Sequence, residues 1–165
     1  MTNINCQNKY LYPSSIIVSS NSTNIKTVLG SCVSVCMYDK EKKIGGINHF
    51  MLPFWRGDEL SSPKFGNLAM RGLLQKILHI GANRESLVAK IFGGANLLNF
   101  ENDHYRIGIR NIEVAKMFLR ENMIPVVASD VGGDQGRKIL FNTNSGDVYL
   151  KRIGNLPMKL IFEEI

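Results

Sequence analysis

The sequence predicts a layered α/β sandwich, and two observations support this prediction. Short stretches typical of β-strands alternate in mixed order with two stretches that have the period of an amphipathic helix. The composition, 44% hydrophobic and 21% charged residues, is that of a folded globular protein without biased tracts. With 165 residues in the chain, we expect one domain over residues 1–165.

The first half of the chain predicts a strand followed by an antiparallel hairpin. The run SSIIVSS at 14–20 is of β type, and CVSVCMY at 32–38 alternates between apolar and smaller side chains. The run IGGINHFML at 44–52 is β-like again, and its glycines indicate a bulge or a close backbone approach. Polar residues at 39–43 form the expected loop between the two hairpin strands.

The middle of the chain predicts a helix and then a strand. Apolar residues recur at steps of three and four between Phe65 and Ile80, which is the pattern of an amphipathic helix. Gly81 follows at the position of a helix C-terminal cap. The run SLVAKIF at 86–92 predicts a strand that ends at a pair of glycines.

The last third predicts a second helix and three further strands. The helix is expected at about 111–122, with Asn111 as its N-cap, and IPVVASD at 124–130 is the next strand. Residues 138–153 predict a hairpin with a turn at Asn-Ser-Gly, and 157–165 an added edge strand. The predicted apolar face of this helix consists of Ile112, Ala115, Met117, Phe118 and Leu119.

Composition and charge exclude several classes of function. No apolar run approaches the roughly 20 residues of a membrane helix, and the polar N-terminus is neither signal peptide nor anchor, so we expect a cytoplasmic protein. Three cysteines, an odd number, do not suit a disulfide framework. The net charge is +6, but no basic helix or aromatic-interleaved basic stripe points to nucleic acid.

The predicted hairpin brings a cysteine and a histidine close together. With the loop at 39–43, His49 lies opposite Val33 and next to Cys32, and a shift of one residue would place Cys32 and His49 directly opposite each other. A neighbouring imidazole lowers the pKa of a thiol and makes it a nucleophile. Gly30 permits a bend just before the cysteine, and amide N–H groups of that bend are candidates for stabilising an oxyanion.

Two other interpretations of these residues remain open at this stage. Cys32 is an ordinary buried residue in one of them, which is the usual state of a free cysteine. In the other, Cys32, Cys36 and His49 bind a catalytic zinc ion, although a Cys-x3-Cys spacing on a strand separates the sulfur atoms. The other histidines have structural interpretations, His79 at the helix end and His104 in a loop.

The chain resembles a known family, the chemoreceptor glutamine deamidases called CheD. The resemblance depends on LGSCVSVCMYD at 29–39 followed by GGINHFMLP at 45–53, which reproduce the family's interval between cysteine and histidine. It continues through KIFGGAN at 90–96, IGIRN at 107–111 and DVGG at 130–133, and so extends over nearly the whole chain.

This resemblance implies a fold and an activity. The fold is an α/β/α sandwich with mixed, largely antiparallel sheets. The activity is hydrolysis of side-chain amides of glutamines in methyl-accepting chemotaxis receptors, whose methylation segments are helical and rich in Glu and Gln. No metal or organic cofactor is expected. The expected partners are the receptors and, in some members, a CheC-type phosphatase.

The resemblance also implies roles for three residues. Cys32 matches the family's nucleophile and His49 matches its base. The family has a threonine six positions before the cysteine, where this chain has Lys26, and Thr27 follows one residue later. Because a shift of one residue along a strand reverses the face, either Thr27 orients His49 through a local bulge, or another group orients His49, or the activity is weaker. We name Thr27 as the third catalytic residue beside Cys32 and His49.

Two further functions are compatible with the sequence. Hydrolysis of receptor methyl esters is a close variant, because it passes through the same acyl-enzyme. The alternative of a different class is a regulatory module with little or no catalysis, which binds receptors or a CheC-type phosphatase. Lys26 in place of threonine favours this alternative, whereas Cys32 and His49 favour the enzyme. An enzyme predicts an ionised, readily alkylated Cys32 whose reactivity falls in a His49→Ala variant.

Overall fold

The computed structural model describes residues 5–97 and 106–154. Within these residues the chain forms nine strands, two α-helices and a short 3-10 helix at Arg84–Ser86. The strands and α-helices, in chain order, are β1 (Gln7–Tyr10), β2 (Ser15–Ser19), β3 (Thr23–Leu29), β4 (Val33–Asp39), β5 (Ile44–His49), α1 (Gly66–His79), β6 (Leu87–Gly93), α2 (Ile107–Glu121), β7 (Val126–Val131), β8 (Gly136–Asn142) and β9 (Val148–Ile153).

The strands form two sheets. One sheet has four strands in the order β1-β3-β8-β9, and the other has five in the order β2-β5-β4-β6-β7. The pairs β1–β3 and β6–β7 are parallel, whereas the other five pairs are antiparallel. The predicted α/β class with mixed and largely antiparallel sheets is therefore confirmed.

The five-stranded sheet separates two apolar cores. On one face, Val33, Val35 and Met37 of β4 pack against apolar residues of both helices, such as Met70 and Ile112. On the other face, apolar residues of β4 and β5 contact inward residues of the four-stranded sheet. The described residues thus form three layers in the order helices, five-stranded sheet and four-stranded sheet. Both helices lie on the same side of the sheets, whereas an α/β/α order would place helices on both sides.

The hairpin and the first helix form where the sequence predicts them. Strands β4 and β5 are joined by residues 40–43, and their register contains no bulge. The glycines of β5 instead allow a close approach, because a Cβ atom at Gly45 would lie 2.8 Å from the Cα of Thr143. Helix α1 ends at His79, and Gly81 follows with a φ of +112°, a left-handed conformation that suits glycine.

The second helix differs from its prediction in two respects. It begins at Ile107, so Asn111 lies inside the helix and is not its N-cap. The side chain of Asn111 is buried against other parts of the chain. The buried face includes Val114, whereas Met117, predicted to be buried, is 37% exposed. Helix periodicity alone does not show which of two neighbouring positions the sheet covers.

Several sequence predictions concern the ends of the chain and the loops. The sequence pattern does not predict strands β1 and β3. For β1 the reason is that its segment QNKY has no apolar alternation. The predicted edge strand at 157–165 and the loop residue His104 lie outside the described residues. In the described segments, neither helix is both long and apolar enough to cross a membrane.

Candidate active site

The register of β4 and β5 differs by one residue from the register predicted from the loop. Val33 bridges Phe50, whereas the sequence analysis places it opposite His49. The same register places Ser34 opposite His49. The shift is therefore in the direction opposite to the one that would have placed Cys32 and His49 directly across from each other.

Cys32 and His49 nevertheless lie on the same face of the sheet. Cys32 precedes Ser34 by two residues, so the side chains of both point to the face that carries His49. Residues in this diagonal relation have Cβ atoms about 7–8 Å apart or closer. Cys32 packs at the edge of the core between the two sheets and is partly exposed, whereas Cys36 on the same face is fully buried.

Thr27 and His49 form a buried hydrogen bond between the two sheets. The distance from Thr27 Oγ1 to His49 Nδ1 is 2.8 Å, and the distance from Thr27 Oγ1 to the carbonyl oxygen of Leu11 is also 2.8 Å. The hydroxyl has a single hydrogen, and the carbonyl can only accept, so Thr27 donates to Leu11. Thr27 Oγ1 then accepts from Nδ1–H of His49, which places the lone pair of the neutral imidazole on Nε2.

Thr27 reaches His49 without a bulge. It lies in the regular ladder between β3 and β8, opposite Ile139, and its side chain points into the space between the sheets. Lys26 points to the opposite, outer face of this sheet and is exposed. The bulge expected for Thr27 is therefore absent, because the inward face of β3 already contains this position.

Burial keeps the Cys32 thiol and the His49 imidazole uncharged. It lowers the pKa of His49 to about 4 and raises the pKa of the Cys32 thiol to about 11, an effect that the backbone N–H of Cys32 opposes. His49 Nε2 is buried and has no hydrogen-bond partner. Because desolvation disfavours both charges, the free protein contains a thiol and a neutral imidazole at neutral pH. The sequence analysis instead expects an ionised Cys32.

The bend that contains Cys32 is attached to the end of β6. The N–H of Gly94 donates to the carbonyl of Cys32 at 2.8 Å, and the N–H of Ala95 donates to that of Gly30 at 2.9 Å. Gly93 has a φ of +105°, and a Cβ atom at this position would overlap the Cys32 carbonyl. Gly93, which the sequence analysis interprets as part of a strand end, thus allows β6 to approach the bend closely, whereas Gly94 allows the close approach of α2 at Ile112 and Gly108.

Two contributors to this site were not identified from the sequence. The Leu11 carbonyl orients Thr27, and a backbone acceptor leaves no signal in a sequence. Asn111 was assigned a helix-cap role, but its Nδ2 donates to the carbonyls of Ser31 and Met51, at 3.1 and 3.0 Å. A polar residue on the buried face of an amphipathic helix was the available signal.

The structure does not assemble the alternative zinc site. Cys32, Cys36 and His49 do not form a ligand cluster, and no group of three or more His, Cys, Asp or Glu residues suited to a metal occurs in the described part of the chain. Cys36 lies in the apolar core between the sheets. The side chain that contacts Nδ1 of His49 is instead that of Thr27, through its hydroxyl.

Comparison with known proteins assigns the family. Residues 51–152 match the family model described as CheD chemotactic sensory transduction. A protein of Trichlorobacter lovleyi is 52% identical over 143 residues, which are 87% of this chain and 89% of that protein. The chain belongs to the CheD family. The resemblance noted from its sequence motifs is thereby confirmed.

Other CheD relatives extend the match over most of the chain. A protein of Sulfurimonas denitrificans is 45% identical over 89% of this chain and 95% of its own length. One of Vibrio vulnificus is 42% identical over 86% of this chain and 69% of its own length. These relatives and the one from T. lovleyi are each named probable chemoreceptor glutamine deamidase CheD.

Proposed function

We propose that this CheD protein hydrolyses the side-chain amide of glutamines in chemotaxis receptors, with Cys32 as nucleophile and His49 as base. The observation that carries the proposal is the buried Thr27–His49 hydrogen bond, which leaves the Nε2 lone pair on the sheet face that also carries Cys32. The names of the relatives support chemoreceptor glutamine as the substrate.

The first half of the reaction forms a thioester. His49 Nε2 takes the thiol proton as Cys32 Sγ attacks the amide carbon, because neither group is ionised beforehand. The carbonyl oxygen becomes an oxyanion in the tetrahedral intermediate. The C–N bond then breaks as Nε2–H of His49 returns the proton to the nitrogen, and ammonia leaves.

The second half hydrolyses the thioester. His49 Nε2 removes a proton from water, whose oxygen attacks the thioester carbon. The C–S bond breaks, the sulfur regains the proton from His49, and the product is a glutamate side chain. Throughout both halves Thr27 holds Nδ1–H, so the imidazole keeps one orientation and one tautomer.

The Cys32 backbone N–H is the candidate donor for the oxyanion. It faces the sulfur of the same residue, where it favours the thiolate form and so lowers the pKa, against the larger effect of burial. An amide next to the nucleophile is well placed for an oxygen that develops negative charge on the attacked carbon.

The test is a reaction with a receptor cytoplasmic fragment, followed by peptide mapping by mass spectrometry. We expect a mass increase of about 1 Da at particular glutamines, the change from amide to acid, with the wild type and not with Cys32→Ala. Cys36→Ala is the matched control, because Cys36 lies on the strand that follows Cys32 and on the same face, but is fully buried. We expect it to retain activity.

The outcomes separate the alternatives. Conversion by Cys32→Ala would contradict the assigned nucleophile. Binding of the fragment without any conversion by the wild type would favour the regulatory module, and the same protein can then be tested for binding of a CheC-type phosphatase. A methylated receptor fragment in parallel tests methyl-ester hydrolysis, which releases methanol through the same thioester.

A further inference from the structure

We infer that Asn111 is a positioning residue that orients the Cys32 backbone N–H toward the oxyanion. The inference rests on the proposed function, because it assigns a supporting residue to that reaction. Asn111 lies in the second turn of α2, on the face that packs against the five-stranded sheet, and its side chain is fully buried.

The contacts of Asn111 fix its amide in one orientation. Both hydrogens of Nδ2 are used, one on the carbonyl of Ser31 at 3.1 Å and the other on the carbonyl of Met51 at 3.0 Å. An amide turned the other way would place its oxygen against two carbonyl oxygens. Oδ1 is buried without a hydrogen-bond partner. An unpaired buried acceptor is unfavourable, so this asparagine stabilises the fold less than a fully paired side chain would.

The two carbonyls belong to the two halves of the site. Ser31 is the residue before Cys32, and Met51 is two residues after His49. One side chain thus connects the bend before β4 to the segment after β5. The connection is made at the open end of the hairpin, where the β4–β5 pairing ends in the bridge between Val33 and Phe50.

The contact with Ser31 also determines the direction of the next amide. The peptide bond between Ser31 and Cys32 is trans, so the Ser31 carbonyl and the Cys32 N–H point in opposite directions. Because Asn111 holds the carbonyl toward α2, the N–H points away from α2. The Cys32 side chain lies on this same side of the sheet, at the core between the two sheets, where the tetrahedral intermediate would form.

The support beneath Asn111 is closely packed. In the first turn of α2, Gly108 packs directly on the backbone of Gly94 and Ala95, where a Cβ atom at Gly108 would lie 2.8 Å from the Ala95 oxygen. Gly94 and Ala95 in turn donate to the carbonyls of Cys32 and Gly30. Helix α2 therefore contacts the bend both through Asn111 and through the end of β6.

The test compares Asn111→Asp with wild type in the receptor-fragment assay. The aspartate keeps the shape of the side chain but removes both Nδ2 donors. Direct loss of an oxyanion donor costs about 10²–10³ in kcat, so for this indirect contact we expect a decrease of about tenfold to a hundredfold, with KM within about threefold.

Alkylation of Cys32 by iodoacetamide supplies the second readout, in a Cys6→Ser background that removes the exposed cysteine. Alkylation displaces iodide from a CH₂ group and forms no oxyanion. The Cys32 N–H therefore affects this rate only through the thiol pKa, where its effect is smaller than that of burial. We expect the rate in Asn111→Asp to stay within about threefold of wild type. Val114→Ala, which truncates a buried neighbour on the same helix, controls for lost stability and should retain kcat.

The results distinguish the two proposals. Wild type without deamidation contradicts the proposed function. Active wild type with an equally active Asn111→Asp overturns only the role of Asn111, and so does a parallel loss of kcat and alkylation, which indicates a collapsed bend. If Asn111→Asp does not fold, Asn111→Leu, which is similar in size and has no donor, is measured in the same way, and an unchanged kcat in that variant overturns the inference.

Discussion

At the scale of single residues, the hydroxyl of Thr27 has two hydrogen-bond partners and no contact with solvent. Thr27→Val keeps the shape and removes both bonds, so we expect a stability loss of about 1–3 kcal/mol from the unpaired Leu11 carbonyl and His49 Nδ1. We also expect kcat to fall by about tenfold to a hundredfold, because the imidazole loses its fixed tautomer. Urea unfolding and the deamidation assay measure the two effects.

The matched control for Thr27 is on the same strand. Thr23 is also fully buried, and its hydroxyl contacts Asn21 and Ser19. Thr23→Val should lower stability while kcat stays near the wild-type value. Equal kcat values in the two valine variants would show that Thr27 only stabilises the fold.

His49 makes stability depend on pH. Its pKa of about 4 in the folded protein lies below the usual value of 6.5. Between these values the unfolded chain binds more protons, so stability falls as pH falls from about 6.5 toward 4. For this residue alone we expect a loss of about 2 kcal/mol between pH 7.5 and 5, measured by urea unfolding.

A substitution tests whether His49 causes this dependence. His49→Gln should remove most of the loss between pH 7.5 and 5, whereas His79→Gln, at the exposed end of α1, should leave it in place. A pH dependence that is the same in wild type and His49→Gln would assign it to other groups.

Cys32 should react as an ordinary buried thiol in the free protein. Since its pKa is about 11, the alkylation rate in the Cys6→Ser background should rise by about tenfold per pH unit up to pH 9 and beyond. A plateau already at pH 7 would indicate a resting thiolate–imidazolium pair. The measurement is the iodoacetamide rate followed by mass spectrometry.

At the scale of elements, the junction between β6 and the Cys32 bend depends on Gly93. Gly93→Ala introduces a Cβ atom at a φ of +105° that overlaps the Cys32 carbonyl. Gly132→Ala is the matched control, because Gly132 also has a positive φ, +77°, but nothing lies within 4 Å of a Cβ atom there. Each variant should lose about 1–2 kcal/mol from backbone strain.

The two alanine variants should differ in activity. We expect Gly93→Ala to reduce deamidation by about tenfold or more. A displacement of about 1 Å at a reacting group lowers the rate by up to about a hundredfold. Gly132→Ala should remain within about threefold of wild type. If both variants retain full activity, the close approach of β6 is not needed to hold the bend.

At the scale of the whole molecule, the net charge of +6 favours association with acidic partners. The outer face of the four-stranded sheet contributes Lys26, Lys138 and Lys151 to this charge. For a receptor fragment rich in Glu, we expect KM to rise about fivefold between 50 and 300 mM NaCl with little change in kcat, because salt screens exposed charges. A neutral glutamine peptide is the control, and a KM independent of salt for the fragment would contradict this expectation.

The local features of this protein follow from patterns in its sequence. The alternation of apolar residues in β4 and β5, the polar loop predicted at 39–43 and the three- and four-residue steps of α1 are properties of neighbouring residues. They were sufficient to predict a hairpin that brings Cys32 and His49 close together, although the loop begins one residue later, at residue 40, and the register differs by one residue. The resemblance to the CheD family identified the same two residues, and the comparisons confirm the family.

The groups that surround these residues follow from the packing of the layers on one another. Thr27 reaches His49 because one sheet packs on the other, and Asn111 reaches Ser31 because α2 packs on the end of the hairpin. Both contacts join residues that are distant in sequence or lie in different layers, so the periodicity of apolar residues along the chain does not predict them. The same burial sets the protonation of Cys32 and His49, because the cost of a charge depends on the surrounding layers and not on the neighbouring residues in the chain.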